Sequence, residues 1–137
     1  MADVTVIPAE VLPATDTLTI DGTAGATVTA GQTCYLDSSD NKYKLADADA
    51  SAATAAVKGL AMHGASDGQP IRLAIGGTID PGFTAAVGTI YVQSGTAGGI
   101  APVTDLATGD FTTIIGVGIS ASSLKLLMIN SGVQVPA

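Results

Sequence analysis

The chain has no tryptophan, one cysteine (Cys34), one histidine (His63) and one glutamate (Glu10) among its 137 residues. A structural zinc site draws four ligands from Cys and His, so one of each cannot build it. A lone cysteine forms no internal disulfide, and in strand-like surroundings it reads as a small buried apolar residue. A single glutamate excludes a paired-Glu acid/base site and leaves open only a pair of Asp residues. Basic residues are also scarce. Five Lys and Arg stand against twelve Asp and Glu, a net charge of −7 and a sequence pI near 4.1. Phosphate binding needs a Lys/Arg cluster that this chain cannot assemble, so nucleic acid is not an expected partner. An anionic membrane surface is disfavoured for the same reason. No apolar run reaches the ~18 residues of a membrane-spanning helix. The start, Met1-Ala2-Asp3-Val4-Thr5, has neither a basic n-region nor an apolar h-region, so no secretory signal is expected.

What remains is rich in Ala, Val, Ile, Leu and Thr. Apolar residues make up 47% and charged residues only 12%, about half of the ~25% charged share usual in globular chains. With 17 Gly and 4% aromatics, this mixture favours short β-strands and tight turns. The apolar content rules out disorder for the bulk of the chain. The length suits one domain with a core of its own rather than two.

An internal repeat organises the chain. At an offset of 57, Gly25 meets Gly82, Thr27 meets Thr84, Gly31 meets Gly88 and Gly59 meets Gly116. Thr33-Cys34-Tyr35-Leu36 lies over Ile90-Tyr91-Val92-Gln93, and residues 57–62 lie over residues 114–119. The second copy then loses four residues, after which Ile71-Arg72-Leu73 aligns with Leu124-Lys125-Leu126. The copies span about residues 19–75 and 78–129. Residues 17–20, 70–75 and 123–126 alternate apolar and polar, as half-buried strands do. The connections at 64–69 and 120–123 read as turns, so each copy ends in a hairpin. Residues 112–119 are apolar on both faces and suit a central strand. Residues 47–56 are Ala-rich and predict at most a helical turn. Neither unit buries its face alone, so the two predict one all-β domain over residues 17–137, a β-sandwich, jelly-roll-like fold or barrel.

Residues 1–16 lie outside the repeat. Val4, Val6, Ile7, Val11 and Leu12, punctuated by Pro8 and Pro13, predict an extended segment. One reading is an edge strand or frayed terminus. The other is an arm that adds to a neighbouring subunit, since apolar residues in a tail need a partner.

No catalytic constellation emerges, no cofactor is expected, and the chain reads as a non-enzyme. His63 precedes a turn, and no Gly-x-Ser-x-Gly elbow surrounds any Ser. The Asp residues fall in turns, where their carboxylates cap backbone donors. Asp37, Asp40 and Asn41, and likewise Asp47 and Asp49, offer oxygen ligands but complete no EF-hand loop. Gly116-Val117-Gly118-Ile119-Ser120-Ala121 matches the dinucleotide fingerprint in letters only, because a strand rather than a helix follows it.

Residues 24–32, followed by Tyr35-Leu36-Asp37 and residues 44–49, resemble a family of small capsid decoration (cement) proteins of tailed phages and prophages. The likeness continues through residues 55–61, Gly68-Gln69-Pro70, residues 98–102, Gly109-Asp110 and Leu124-Lys125-Leu126, covering about residues 18–130. Its motifs are turn-like, and their order and spacing carry the resemblance. It implies a compact β-sandwich or jelly-roll-like unit, made in the host bacterial cytoplasm and bound to the outside of the expanded capsid. It further implies a homodimer or homotrimer that bridges subunits of the major capsid protein. By that logic Val4, Val6, Ile7, Val11 and Leu12 are the interface residues. Alternative readings are a β-rich tail or fibre module binding tail proteins or host glycan, a small Asp-dependent hydrolase, and an adhesin repeat.

Overall fold

A computed structural model describes residues 3–136; Met1, Ala2 and Ala137, the ends of the expected arm and domain, lie outside the described residues. The protein is all-β, one antiparallel sheet curled into a half-barrel. Its strands are β1 Val11–Pro13, β2 Leu18–Thr23, β3 Thr33–Asp37, β4 Lys42–Leu45, β5 Val57–Ala61, β6 Pro70–Pro81, β7 Ile90–Gln93, β8 Ile100–Pro102, β9 Phe111–Ser120 and β10 Ser123–Gln134. One short helix, α1 Ala52–Ala55, interrupts them. It lies in the Ala-rich stretch and opens with a capping box, in which the Ser51 side chain accepts from the Thr54 N–H.

Strand order runs β4-β3-β5-β6-β10-β9-β7-β8, with β1 and β2 also paired to β6. The two copies therefore have one topology. The first is β4-β3-β5-β6-β2 and the second is β8-β7-β9-β10-β6. Strand β6 belongs to both. Its first half closes the first unit against β5 and β2, and its second half opens the second unit against β10 and carries β1 on its other side. The sequence ends a strand at 75 and opens the second copy at 78. The structure runs them together, with Gly77 at φ 75° where the partners change.

The equivalence extends to irregularities. In the first unit Cys34 faces Gly59 and Tyr35 faces Val57, so Lys58 bulges out. In the second, Tyr91 faces Gly116 and Val92 faces Ile114, so Ile115 bulges at the matching position. Gly31 and Gly88 both hold positive φ, 88° and 80°, and donate equivalent N–H bonds to Ala61 O (2.8 Å) and Gly118 O (2.7 Å). Gly59 and Gly116 are glycines for another reason: a Cβ on either would run into a backbone oxygen of the neighbouring strand, Ala74 O or Lys125 O.

The hairpins differ. The 63–69 loop sets Ala61 opposite Leu73, whereas the shorter second turn sets Gly118 opposite Leu124. Gly118 is the counterpart of Ala61 but Leu124 is the counterpart of Ile71, so the register has slipped by two. A slip of two keeps every side chain on its own face, because strand side chains alternate with period two.

Two apolar clusters fill the interior. The smaller lies within the first unit and includes Val28, Cys34, Tyr43, Ala61, Ile71 and Leu73. The larger spans both units, joining Val57, Leu60 and Ala74 to Ile79, Tyr91, Ile100, Ile115, Leu124 and Leu126. Burying the largest of these side chains contributes about 1.5–3 kcal/mol each. Thr33 Oγ1 hydrogen-bonds the buried Gln93 side chain, and the Thr33 N–H reaches Gly98 O at 3.2 Å, so the units also meet through polar contacts.

Candidate functional site

The segment expected to stand off as an arm is laid across the protein's own surface. The Val4 N–H donates to Ile100 O (2.9 Å) and the Ile7 N–H to Gly82 O (2.8 Å). A 3-10 turn at Pro8–Glu10 then leads into β1, where Val11 pairs with Pro81 and Pro13 with Ile79. Residues 3–13 are a strap held at both ends. Its apolar residues divide by side. Val11 is buried in the shared core and Val4 and Val6 pack against that core. Val6 lies between Gly31 of the first unit and Gly82 of the second, each of which has room for it only because it lacks a Cβ. Ile7 and Leu12 point outward and are 50% and 54% exposed. Of the five residues expected at an interface, three therefore serve the fold and two are free to touch another molecule. The physical reason is that an apolar strap finds its nearest unfilled apolar surface on its own sheet, at the seam between the units.

Beside Ile7 is an open groove of about 310 Å³ lined by Thr5, Glu10, Asp80, Phe83 and Ser122 among others. The Phe83 and Tyr91 rings meet edge to face beneath it, with centroids 5.1 Å apart.

The groups with chemical potential are mostly engaged in structure. His63 Nε2 accepts the Arg72 N–H (3.2 Å), and Nδ1 lies 2.9 Å from Gly64 O, which makes Nδ1 the protonated nitrogen. Cys34 is fully buried, and burial pushes its thiol up to about 12, far from a reactive thiolate. Asp37 accepts from Ser39 and from Lys44 Nζ (2.7 Å), and these bonds hold its carboxyl well below the usual range. The paired Lys44 is raised in turn.

One cluster escaped sequence reasoning. The fold brings Asp110, at the start of β9, beside Asp47 and Asp49, which precede α1. A cavity of about 430 Å³ opens there, lined by Asp3, Asp49, Gly95, Thr96, Ala107 and Asp110. Asp110 is buried, and its Oδ2 accepts the Ala107 N–H at 3.0 Å. Loss of water raises the Asp47 carboxyl above its ordinary value, and the neighbouring Asp49 and Asp110 add to that rise. Among the described residues no group of three such ligands is placed to hold a metal ion. The offset of 57 pairs positions between units, so it carries no signal for this contact across them.

No family model matches the chain, and no curated protein matches it either.

Proposed function

We propose that this protein acts by binding rather than by catalysis, as a decoration protein on the outside of an expanded phage capsid. In this role it bridges subunits of the major capsid protein and stabilises the shell against internal pressure. The observation that carries the reading is the strap: Ile7 and Leu12 are exposed apolar side chains on a segment whose backbone is already pinned at Gly82 and β6. An anchor fixed before binding loses little conformational entropy on docking, which is how a small contact gains affinity. Repetition over a lattice multiplies a modest contact into firm retention. The resemblance over residues 18–130 and the all-β fold support the same reading.

The test is co-sedimentation with undecorated expanded capsids and, separately, with unexpanded proheads. The expected result is saturable binding at hundreds of copies per expanded capsid, on the order that a repeating lattice site gives. Ile7→Asp with Leu12→Asp should weaken this binding while leaving the circular dichroism spectrum unchanged. Absence of binding to either form, with the protein present in virion tails at low copy number, would replace the reading with the tail-module alternative.

A further inference from the structure

The two units close differently. In the first, the chain leaving β2 returns directly to β4: Ala24 bridges Tyr43, and the Gly25 N–H donates to Tyr43 O at 2.7 Å. The Tyr43 ring stands over Gly22, where a Cβ would strike it. At the offset of 57 the second unit should repeat this closure, with Pro81 and Gly82 meeting Ile100. Among the described residues no bridge or backbone bond joins them, and the strap takes the place of that contact. Pro81 pairs with Val11, Gly82 O accepts the Ile7 N–H, and Ile100 O accepts the Val4 N–H. The Gly82 N–H, whose counterpart closes the first unit, is turned onto Asp80 Oδ1 at 3.2 Å.

Size explains which closure the ground state adopts. Ile100 is shorter than Tyr43 and cannot span the same gap, and the buried Val11 joins Ile100 in the cluster that spans both units. The hold on the strap is partial. Its turn Pro8–Glu10 buries no residue. A cavity of about 200 Å³ remains between Val4, Val6 and Pro8 on the strap and Gln32 and Gly98 across from them. The second unit's own five strands, β8-β7-β9-β10-β6, are complete without it.

We infer that the strap is a releasable clasp, and that the second unit has two closed forms. In one, residues 3–13 are docked; in the other, Gly82 meets Ile100 as Gly25 meets Tyr43. Ile100 O takes the Val4 N–H in the first form and the Gly82 N–H in the second. Two discrete arrangements of one segment are what a conformational switch requires. The first unit, which carries no strap across this contact, shows that the fold tolerates the direct closure. Docked, the strap offers a partner Ile7 and Leu12; released, it offers Val4, Val6 and Val11 as well. The inference concerns the free chain and stands apart from the capsid reading.

Glu10 is the only glutamate of the chain, and it lies in the strap, so a glutamyl endopeptidase restricted to Glu cuts the native full chain at one bond. Cleavage needs an extended segment, so its rate reports the population of released strap. The expected rate is nearly flat in urea below the unfolding transition, because release of the strap exposes little surface. Val6→Asp should speed cleavage by about tenfold or more, since a charge there is driven away from the apolar cluster. In the same variant, an NMR coupling through the hydrogen bond should link the Gly82 nitrogen to the Ile100 carbonyl, and Gly82 amide exchange should slow. Val4→Asp serves for both measurements should Val6→Asp unfold. Cleavage that rises with urea as steeply as global unfolding would show that the strap leaves only with the whole fold, and would overturn the inference. Release that leaves the Gly82 amide unpaired with Ile100 would remove the second closed form and overturn it equally.

Discussion

The first unit and the second share strand order, a bulge and a pair of left-handed glycines, yet they solve their surfaces differently. Four of the five basic residues, Lys42, Lys44, Lys58 and Arg72, lie in the first, as do the ion pairs Lys44–Asp37, Lys44–Asp40, Lys42–Asp67 and Arg72–Asp21. The second keeps only Lys125 and shows bare β-branched side chains instead. Their interiors trade volume. Cys34 and Tyr43 of the first correspond to Tyr91 and Ile100 of the second, so the large ring moves from one strand to the next while the pair stays apolar and buried. The second pair is the larger, Ile standing where the balance would leave Cys, and a core keeps its fold through such swaps when the positions stay apolar. The two units thus keep strand order, bulge and glycine turn while hairpin register and side-chain chemistry vary, and the face each unit turns outward is set by what lies against it.

Equivalent positions can be set against each other by substitution. The largest contrast is at the bulge. Ile115 is fully buried and Lys58 exposed, so Ile115→Ala should cost about 2–5 kcal/mol and Lys58→Ala less than ~0.5 kcal/mol in urea unfolding. Similar losses at both would mean that the two bulges are packed alike, contrary to the burial of Ile115 and the exposure of Lys58. A smaller contrast lies between Met62, packed against the cluster that spans both units, and its exposed counterpart Ile119. Met62→Lys places a charge against the shared core and should cost about 1–3 kcal/mol, while Ile119→Lys should stay within ~0.5 kcal/mol. The smallest concerns pH. The Asp47 carboxyl is raised by folding, so its contribution to stability is present at low pH and is lost as pH rises through its folded value. Asp37 is lowered by folding, so its contribution is present above the ordinary 3.8 and is lost as pH falls below it. Melting temperatures followed from acid to neutral pH should therefore respond oppositely. Asp47→Asn should remove a decline on the way up, and Asp37→Asn a decline on the way down. The same pH profile in both variants would contradict the opposed environments of the two carboxyls.

The β character, the hairpins and the helical turn in the Ala-rich stretch can be read in the chain, because alternation, turn glycines and Ala content are local signals. Where contacts cross between copies, reading fails. Thr33 and Ile90 sit in the same pattern, and only docking decides that one is buried and the other is not. Val4, Val6 and Val11 carry no mark that separates a strap on the home sheet from an arm reaching a neighbour. Asp110 and Asp49 line one cavity because α1 and β9 come together, a tertiary fact with no sequence period. The run from Ile75 through Gly76 and Gly77 to Thr78 reads as the boundary between copies, yet the strand continues through it, Gly76 pairing with Leu18 of β2 and Gly77 with Leu126 of β10.

That continuity has a consequence for how the molecule comes apart. Most repeats meet at a linker, and one can melt while its neighbour stands. Here the junction is the middle of β6, whose twelve residues bond partners from both copies, so the two units form one continuous sheet. A cut at residue 76 would leave each copy its own five strands but break the backbone that joins them, and would strip β1 of its partners Ile79, Asp80 and Pro81. The duplicated chain is committed to unfolding as one cooperative body, and force applied to one copy is carried through the shared strand straight into the other.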